Sequence, residues 1–263
     1  MSDATSMLLE TESLDVRIGN TKVVSGLDLR VPPGGSIGIL GPNGVGKTTL
    51  LLTLAGIRHP AAGEVRLHGQ PLARQSRREV ARTLGMLTQN TRFAFEASCL
   101  DIVLSGRHPH LGALANEGPA DHDIAQQALA TTGLTDKAQR SCLQLSGGEQ
   151  RRLALARVLA QQPDVLLADE PTNHLDPAHQ VAVLDALWRR LHQQPRAQLL
   201  ALHDINLATC YCSEVLMLFG QGRFELGPTA EMLTEHRLSR LFGCPIRAVS
   251  DGRQTVFATA GSR

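Results

Sequence analysis

The chain has 263 residues, a formal net charge of +1 and 42% hydrophobic residues, which is typical of a globular protein with a sizeable core. The near-zero charge argues against a dedicated nucleic-acid surface, so we expect no nucleic-acid partner. No run approaches the roughly 20 apolar residues that span a bilayer, and the start lacks the pattern of a signal peptide. The five cysteines show no Cys-x-x-Cys spacing, which indicates reduced thiols in a cytosolic protein.

The first elements predicted are strands. Residues 7–35 alternate apolar and polar side chains, as at Leu14, Val16 and Ile18, and this period of two predicts half-buried antiparallel strands. Three shorter runs are almost wholly apolar and predict central parallel strands that helices cover on both faces. These runs are residues 36–40, 165–169 and 198–202.

The first apolar run leads into a glycine-rich loop followed by a helix-forming stretch. The loop and the start of that stretch read Gly41-Pro42-Asn43-Gly44-Val45-Gly46-Lys47-Thr48-Thr49. Its glycines let backbone N–H groups turn inward to form a concave nest for phosphate oxygens at a helix N-terminus. Lys47 adds a charge for the β- and γ-phosphates, and Thr48 offers a hydroxyl to Mg²⁺. The loop predicts a nucleoside triphosphate site.

Residues 92–160 contain few strand formers, with helices predicted at 120–131 and 149–160 and a loop at 105–119. His108 and His110 in that loop supply too few ligands for a metal site. The pairs Arg77-Arg78 and Arg151-Arg152 are too short for basic patches and are interpreted as solvated helix faces. Strands are predicted near 215–219, 223–226 and 255–258, with helix near 229–242.

Five further motifs follow the phosphate loop in a fixed order. They are Gln89 after the apolar run 84–87, Leu145-Ser146-Gly147-Gly148-Glu149-Gln150, the run 165–169 ending in Asp169-Glu170, Asn173-His174-Leu175-Asp176, and Leu202-His203-Asp204. With these motifs nearly the whole chain resembles the ATP-binding cassette (ABC) ATPases. The resemblance implies an α/β fold with a RecA-like phosphate-loop core, an antiparallel β subdomain and an α-helical subdomain. We expect one domain over 1–263, with residues 92–161 as the helical subdomain and residues 7–91 and 162–263 as the rest.

The motifs divide the chemistry of ATP hydrolysis among a few side chains. Asp169 ends a buried strand beside the phosphate loop and is expected to hold Mg²⁺ with Thr48 and Gln89. Glu170 is the candidate general base or water-orienting group, and Gln89 would also contact the attacking water. A neutral His203 imidazole could hydrogen-bond the γ-phosphate and Glu170.

The remaining site residues are expected to act across a subunit boundary. Ser146, Gly147 and Gly148 begin a helix whose N–H groups form a second anion site. In the resembling family this segment contacts the ATP of a partner subunit, and Asp176 helps to couple the halves. We therefore expect a head-to-tail homodimer with two nucleotides between its subunits.

One position departs from the family pattern. Where the family usually stacks an aromatic side chain on adenine, this chain has Ile18. The adenine contact is therefore expected to be aliphatic, or partly supplied by Arg17.

The context favours one class within the superfamily, a separate cassette that docks on membrane permease subunits. Residues 105–112 and 203–208 resemble cassettes of ferric siderophore, haem and cobalamin importers, and residues 216–228 and 241–246 favour cobalamin. The resemblance implies a periplasmic substrate-binding protein and a location at the cytoplasmic face of the inner membrane. A ferric siderophore or haem importer is the alternative, and a soluble ABC ATPase acting on ribosomes or nucleic acid is a distant one.

Overall fold

The computed structural model describes residues 7–89, 93–112, 115–173, 175–193, 195–250, 252 and 255–260. Within these ranges, four strands form an antiparallel sheet in the order β2-β1-β4-β5. The strands are β1 (Leu9–Ile18), β2 (Thr21–Val31), β4 (Ala62–Leu67) and β5 (Gln70–Pro71). Leu14 and Val16 of β1 are buried, as the alternating pattern predicts, whereas Ile18 at the strand end is 42% exposed.

A second sheet forms the centre of the molecule and has the order β10-β9-β3-β8-β7-β6 in the described part of the chain. Its strands are β3 (Ser36–Leu40), β6 (Leu84–Leu87), β7 (Val165–Asp169), β8 (Ala197–Ala201), β9 (Glu214–Gly220) and β10 (Arg223–Pro228). β6, β7, β8, β3 and β9 run parallel, and β10 pairs antiparallel with β9. Because β3, β7 and β8 are covered on both faces, they are buried at every position and almost wholly apolar, rather than apolar at alternate positions.

The side chains of the central sheet enter two hydrophobic clusters. Ile37 and Ile39 of β3 pack in the cluster that contains the antiparallel sheet and helix α1 (Lys47–Leu54). Leu40 and Leu200 enter the opposite cluster, which includes side chains of helix α6 (Pro177–Gln193). Because β3, β8 and β7 pair in parallel, their carboxyl ends meet at one edge of the sheet, where the phosphate loop begins.

Helices form the region between β6 and β7. Helices α3 (Cys99–Leu104), α4 (Pro119–Thr131) and α5 (Gly147–Ala160) contribute to a third apolar cluster. Among the described residues of 93–160, the extended pairing is a single bridge between Ser98 and Ser141. Helix α2 (Arg77–Thr83) precedes β6, and its Arg77 and Arg78 are exposed, in agreement with the solvated face predicted for that pair.

The stretch 105–112 follows helix α3 and packs against the end of α5. Gly106 is required there because a Cβ atom would collide with the Arg157 carbonyl oxygen. Arg107 is buried and donates from Nε to Asp121 Oδ1 at 2.8 Å and from Nη1 to the Ala160 carbonyl at 2.9 Å. His110 Nε2 donates to the Gln161 carbonyl at 2.8 Å. No cluster of metal-ligating side chains occurs among the described residues, and these contacts explain the stretch as a packing motif.

The C-terminal part packs on the central sheet through helices α7 (Ile205–Tyr211), α8 (Thr229–Met232) and α9 (Glu235–Phe242). A hairpin of β11 (Ile246–Ser250) and β12 (Thr255–Thr259) follows. The Asn206 side chain of α7 accepts from the Phe257 N–H at 2.8 Å and donates to the Phe257 carbonyl at 3.3 Å. The hairpin is thereby fastened to the helix that follows His203. None of the helices within the described ranges has the length and hydropathy that crossing a membrane requires.

Candidate active site

The loop between β3 and α1 has the backbone that a phosphate nest requires. Gly44 and Gly46 adopt φ values of 77° and 111°, which side-chain-bearing residues rarely adopt. At Gly46 a Cβ atom would also lie 2.5 Å from Val23 Cγ2. The loop approaches the antiparallel sheet so closely at this position that only glycine fits.

Lys47 lies in the loop's concavity. Its side chain is 6% exposed, and Nζ donates to the carbonyl oxygens of Gly41 at 2.7 Å and Pro42 at 3.3 Å. Burial lowers the pKa of Lys47, while the nearby carboxylates of Glu170 and Asp169 oppose that shift. The ammonium group is thus held by weak carbonyl partners, which a triphosphate could replace.

Asp169 ends β7 beneath the loop. Thr48 Oγ1 donates to Asp169 Oδ2 at 2.6 Å, whereas the buried Oδ1 has no hydrogen-bond partner in the described part of the chain. Burial raises the pKa of Asp169, and the Thr48 hydrogen bond opposes this shift. A carboxylate oxygen beside a hydroxyl is the donor set that Mg²⁺ prefers, and the unpartnered oxygen is consistent with such a ligand.

Glu170 is the centre of a hydrogen-bond network. Gln89 Nε2 and Asn173 Nδ2 each donate to Glu170 Oε2 at 2.8 Å, and His203 Nε2 donates to Oε1. The Glu170 backbone is left-handed, with φ 51°, and its N–H donates to the Ala201 carbonyl at 3.1 Å. Side chains of three motifs, two of them distant in sequence from Glu170, therefore fix one carboxylate. The sequence indicates Asn173 only as part of a motif, and its spacing of three residues from Glu170 is the available signal for this contact.

Arg151 corrects the interpretation of Arg151-Arg152 as a solvated helix face. Its side chain is 6% exposed. The guanidinium donates to the carbonyl oxygens of Thr88, of Gln89 at 3.0 Å, of Asp169 at 2.6 Å and of Glu170 at 2.7 Å. Burial lowers its pKa, and the Asp169 and Glu170 carboxylates oppose that shift. The sequence pattern missed this role because the acceptors are backbone atoms of two distant strand ends.

These groups surround a cavity of about 560 Å³. The lining residues are Ile18, Asn43, Gly44, Gly46, Lys47, Thr48, Thr49, Gln89, Glu170, Asn173 and His203. Gly41, Pro42 and Val45 belong to the loop but are not lining residues, and Asp169 is not a lining residue either. Ile18 lines the rim whereas Arg17 does not, so the aliphatic adenine contact has the better support.

The residues predicted to act across a subunit boundary do not line this cavity. Ser146 caps α5 in a reciprocal capping box, with the Glu149 N–H donating to Ser146 Oγ at 3.3 Å. Ser146 and Gly147 are exposed, and Gly148 is partly exposed. Asp176 is also exposed, and its carboxylate accepts from His179 Nδ1 at 2.6 Å. His174 of the same motif lies outside the described residues.

Comparison with known proteins decides the family. Residues 24–173 match the sequence model of the ABC transporter family. The chain belongs to that family. It is 40% identical over 251 residues to a hemin import ATP-binding protein of Myxococcus xanthus, covering 92% of each chain. It is 34% identical to a petrobactin import ATP-binding protein of Bacillus anthracis, over 89% of this chain and 86% of the relative.

Two further comparisons extend this result. A cobalamin import ATP-binding protein of Halobacterium salinarum is 33% identical, over 93% of this chain and 61% of the relative. A chain of an inward-facing ABC transporter described as metal-chelate type superposes with a TM-score of 0.83 at 30% identity, covering 97% of this chain and 98% of that one. The predicted fold class is therefore confirmed, and this ABC ATPase is an ATP-binding chain of the importer type.

Proposed function

We propose that this ABC ATPase energises the import of a bulky metal chelate. The observation that carries its ATPase part is the Glu170 network, in which Gln89, Asn173 and His203 hold one carboxylate that lines the phosphate-loop cavity. The import proteins to which the chain is similar supply the transport context. We assign the whole chain to one nucleotide-binding domain with residues 92–161 as its helical subdomain.

In the proposed reaction Lys47 and the loop N–H groups bind the triphosphate of ATP. Thr48, Asp169 and Gln89 would hold Mg²⁺, which would neutralise charge on the β- and γ-phosphates. Glu170 orients the attacking water, because its two carboxylate oxygens are already fixed by three donors. His203 lines the cavity beside Glu170 and is placed to donate to the γ-phosphate when it releases the carboxylate.

A homodimer is the proposed catalytic unit. Ser146, Gly147 and Gly148 present N–H groups at the N-terminus of a 14-residue helix, yet they do not line this chain's own cavity. A second copy related by a two-fold axis would bring them to the nucleotide of the first, which completes both sites at once. Asp176 lies on the exposed segment beside the cavity residue Asn173 and is assigned to the contact between copies.

The proposed assembly places the dimer peripherally, at the cytoplasmic face of the membrane, beneath integral permease subunits and fed by a periplasmic substrate-binding protein. One solved relative, cbiO1 of Clostridium perfringens, is part of the cbiONQ transporter complex. It superposes with a TM-score of 0.74 at 28% identity over 89% of this chain.

Haem is the first candidate solute. The tail of the sequence favours cobalamin, but the hemin import relative is 40% identical and the cobalamin relative 33%. The solute contacts the permease rather than this chain, so local similarity in the tail carries less weight. Cobalamin and ferric siderophores are the alternatives.

Transport in a deletion strain tests the proposal. Deleting the gene should abolish uptake of labelled haem, and the wild-type gene but not its Glu170→Gln variant should restore it. Loss of cobalamin or ferric siderophore uptake instead would keep the importer and change the solute. Normal uptake of all three would contradict import of a metal chelate, as would purification with ribosomes or DNA in place of a permease.

A further inference from the structure

A second cleft lies far from the nucleotide cavity. It has a volume of about 460 Å³ and lies between α4, the end of α5 and the last turns of α6. We call it the arginine cleft, and its polar lining consists of Gln127, Thr131, Gln162, Arg189, Arg190 and Arg196. Arg196 directly precedes β8, whose opposite end leads to His203. A five-residue strand separates the two sites by about 13 Å or more.

The charge of the arginine cleft is unbalanced. Three guanidinium groups line it, and no described lining residue is acidic. The carboxylate that acts on both Arg190 and Arg196 is Asp164, which already accepts from His68 Nε2 at 2.9 Å. Because one shared carboxylate cannot balance three guanidinium groups, the cleft carries a net positive charge.

Arg190 is the least satisfied group in the cleft. Its side chain is 6% exposed, and Nη2 donates to the Pro163 carbonyl. Its Nε and Nη1, and Nε of Arg196, are buried without a hydrogen-bond partner in the described ranges. Burial, together with repulsion from Arg196, lowers the pKa of Arg190 to about 9. Buried donors normally have partners, because an unpaired donor loses its hydrogen bonds to water without compensation.

Helix termini explain only part of this arrangement. Cations near the carboxyl end of a helix interact favourably with its dipole, which accounts for Arg189 near the end of α6. The exposed Arg189 also donates from Nε to the Asp185 carbonyl at 3.2 Å. The dipole does not explain a second, buried arginine with two unpaired nitrogens, or a third arginine on a different element.

We propose that the arginine cleft binds a small, multiply charged oxyanion. Guanidinium groups bind phosphate and carboxylate oxygens through paired hydrogen bonds, and Thr131 and the two glutamines add neutral donors. The ligand contacts both α4, which belongs to the helical region between β6 and β7, and α6, which packs on the central sheet. It therefore links the helical region to the sheet. Organic phosphates and polycarboxylates share this chemistry.

Isothermal titration of the full-length chain tests the site. The nucleotide cavity is first saturated with ADP and Mg²⁺, and free Mg²⁺ is held constant. Inorganic phosphate and citrate are then titrated separately, which distinguishes the two sources of oxyanion. We expect saturable binding of at least one probe with a dissociation constant below about 1 mM. Arg189→Gln and Arg196→Gln should each weaken it at least tenfold.

Arg77→Gln is the matched control, because Arg77 is an exposed helical arginine whose side chain makes no hydrogen bond or ion pair in the described part of the chain. The affinity of the Arg77→Gln variant for each probe should equal that of the wild type. Should the cleft variants not fold, the wild-type melting temperature should still rise with the bound probe and not with sodium chloride of equal ionic strength. Absence of saturable binding for both probes, or equal affinity in folded cleft variants, overturns the proposal.

Discussion

Glu170 shows how a single side chain is positioned for its proposed role. Each of its oxygens accepts at least one hydrogen bond, and its left-handed backbone is held by the Ala201 carbonyl and by Arg151. A carboxylate so constrained does not need to reorganise when a water molecule arrives, and preorganisation of this kind is a major source of catalysis.

Glu170→Gln should retain nucleotide binding and lose hydrolysis by about 10²–10⁴-fold, the usual cost of removing a general base. The substitution preserves shape and removes the charge. Phosphate release and nucleotide affinity, measured on the same preparation, check this expectation. Hydrolysis at the wild-type rate would exclude the role given to this carboxylate, and Lys47→Ala, which should weaken ATP binding itself, provides the contrast.

Ile18→Tyr should tighten ATP binding, because a base stacked on an aromatic ring gains about 1–3 kcal/mol. The wild type should discriminate between ATP and GTP by less than about tenfold, or 1.4 kcal/mol. Equilibrium titration with both nucleotides measures this. A strong ATP preference that collapses in Arg17→Ala would instead place the guanidinium on the base.

For single residues, the sequence predicted the side chains that are expected to contact nucleotide, Mg²⁺ or water. It did not predict a side chain that donates to backbone carbonyl oxygens. Lys47, Thr48 and Glu170 stand in motifs whose spacing carries their chemistry. Arg151 does not, because its acceptors are carbonyl oxygens at the ends of β6 and β7. Whether an arginine points to solvent or to a strand end depends on packing that residue order alone does not specify.

Helix α5 illustrates the scale of a secondary-structure element. Glu149 completes its capping box by accepting from the Ser146 N–H at 2.8 Å, and it pairs with Lys137 Nζ at 2.6 Å. These contacts, chiefly the Lys137 hydrogen bond, lower the pKa of Glu149 to about 2. A lowered carboxyl pKa stabilises the folded state above the ordinary pKa, and this contribution disappears as pH falls toward 2.

Glu149→Gln should therefore reduce the free energy of unfolding at pH 7 by about 1.5–3 kcal/mol, the value of hydrogen bonds to a charged group. The difference from the wild type should shrink as pH falls from 4.5 toward 2. Urea unfolding at several pH values measures it. A constant difference across that range would show that Glu149 contributes through packing alone.

The C-terminal hairpin depends on Asn206 in a similar way. Asn206→Ala removes both hydrogen bonds to the Phe257 backbone, so the Phe257 amide should exchange its hydrogen faster by about tenfold or more, since two bonds worth about 1 kcal/mol each are lost. Hydrogen exchange followed by NMR checks this, with Asn206→Asp as a control that retains the acceptor. Unchanged protection in the alanine variant would assign the docking to the Phe257 ring.

The type of each secondary-structure element was more predictable from the sequence than the contacts between elements. The apolar runs 36–40 and 165–169 match β3 and β7, whereas the helical stretch near 229–242 divides into α8 and α9. The strands β4 and β6 were not predicted as such, because their short runs carry little periodicity. The Asn206 contact spans 51 residues, and no local pattern records such a pairing.

For the whole molecule, the proposed dimer makes a prediction that no monomer can satisfy. Ser146→Arg should stop hydrolysis without weakening nucleotide binding to the monomer. Mixed in equal amounts with Glu170→Gln, it should recover activity, because a mixed dimer contains one site with neither defect. If subunits exchange freely, about a quarter of wild-type turnover should return. No recovery after confirmed exchange would place Ser146 and Glu170 in the same site.

Arg151 lies five residues after Ser146 on the same helix, an axial distance of about 7.5 Å. In the proposed dimer the Ser146 end of this short segment faces the nucleotide of the neighbouring subunit. The Arg151 end donates to the backbone carbonyl of Glu170, the proposed water-orienting residue of the same subunit. A displacement of Ser146 is therefore transmitted to Arg151 along the helix, without a hinge between them. Each active site of the proposed dimer would respond, through the Arg151 guanidinium, to hydrolysis of the nucleotide in the other site.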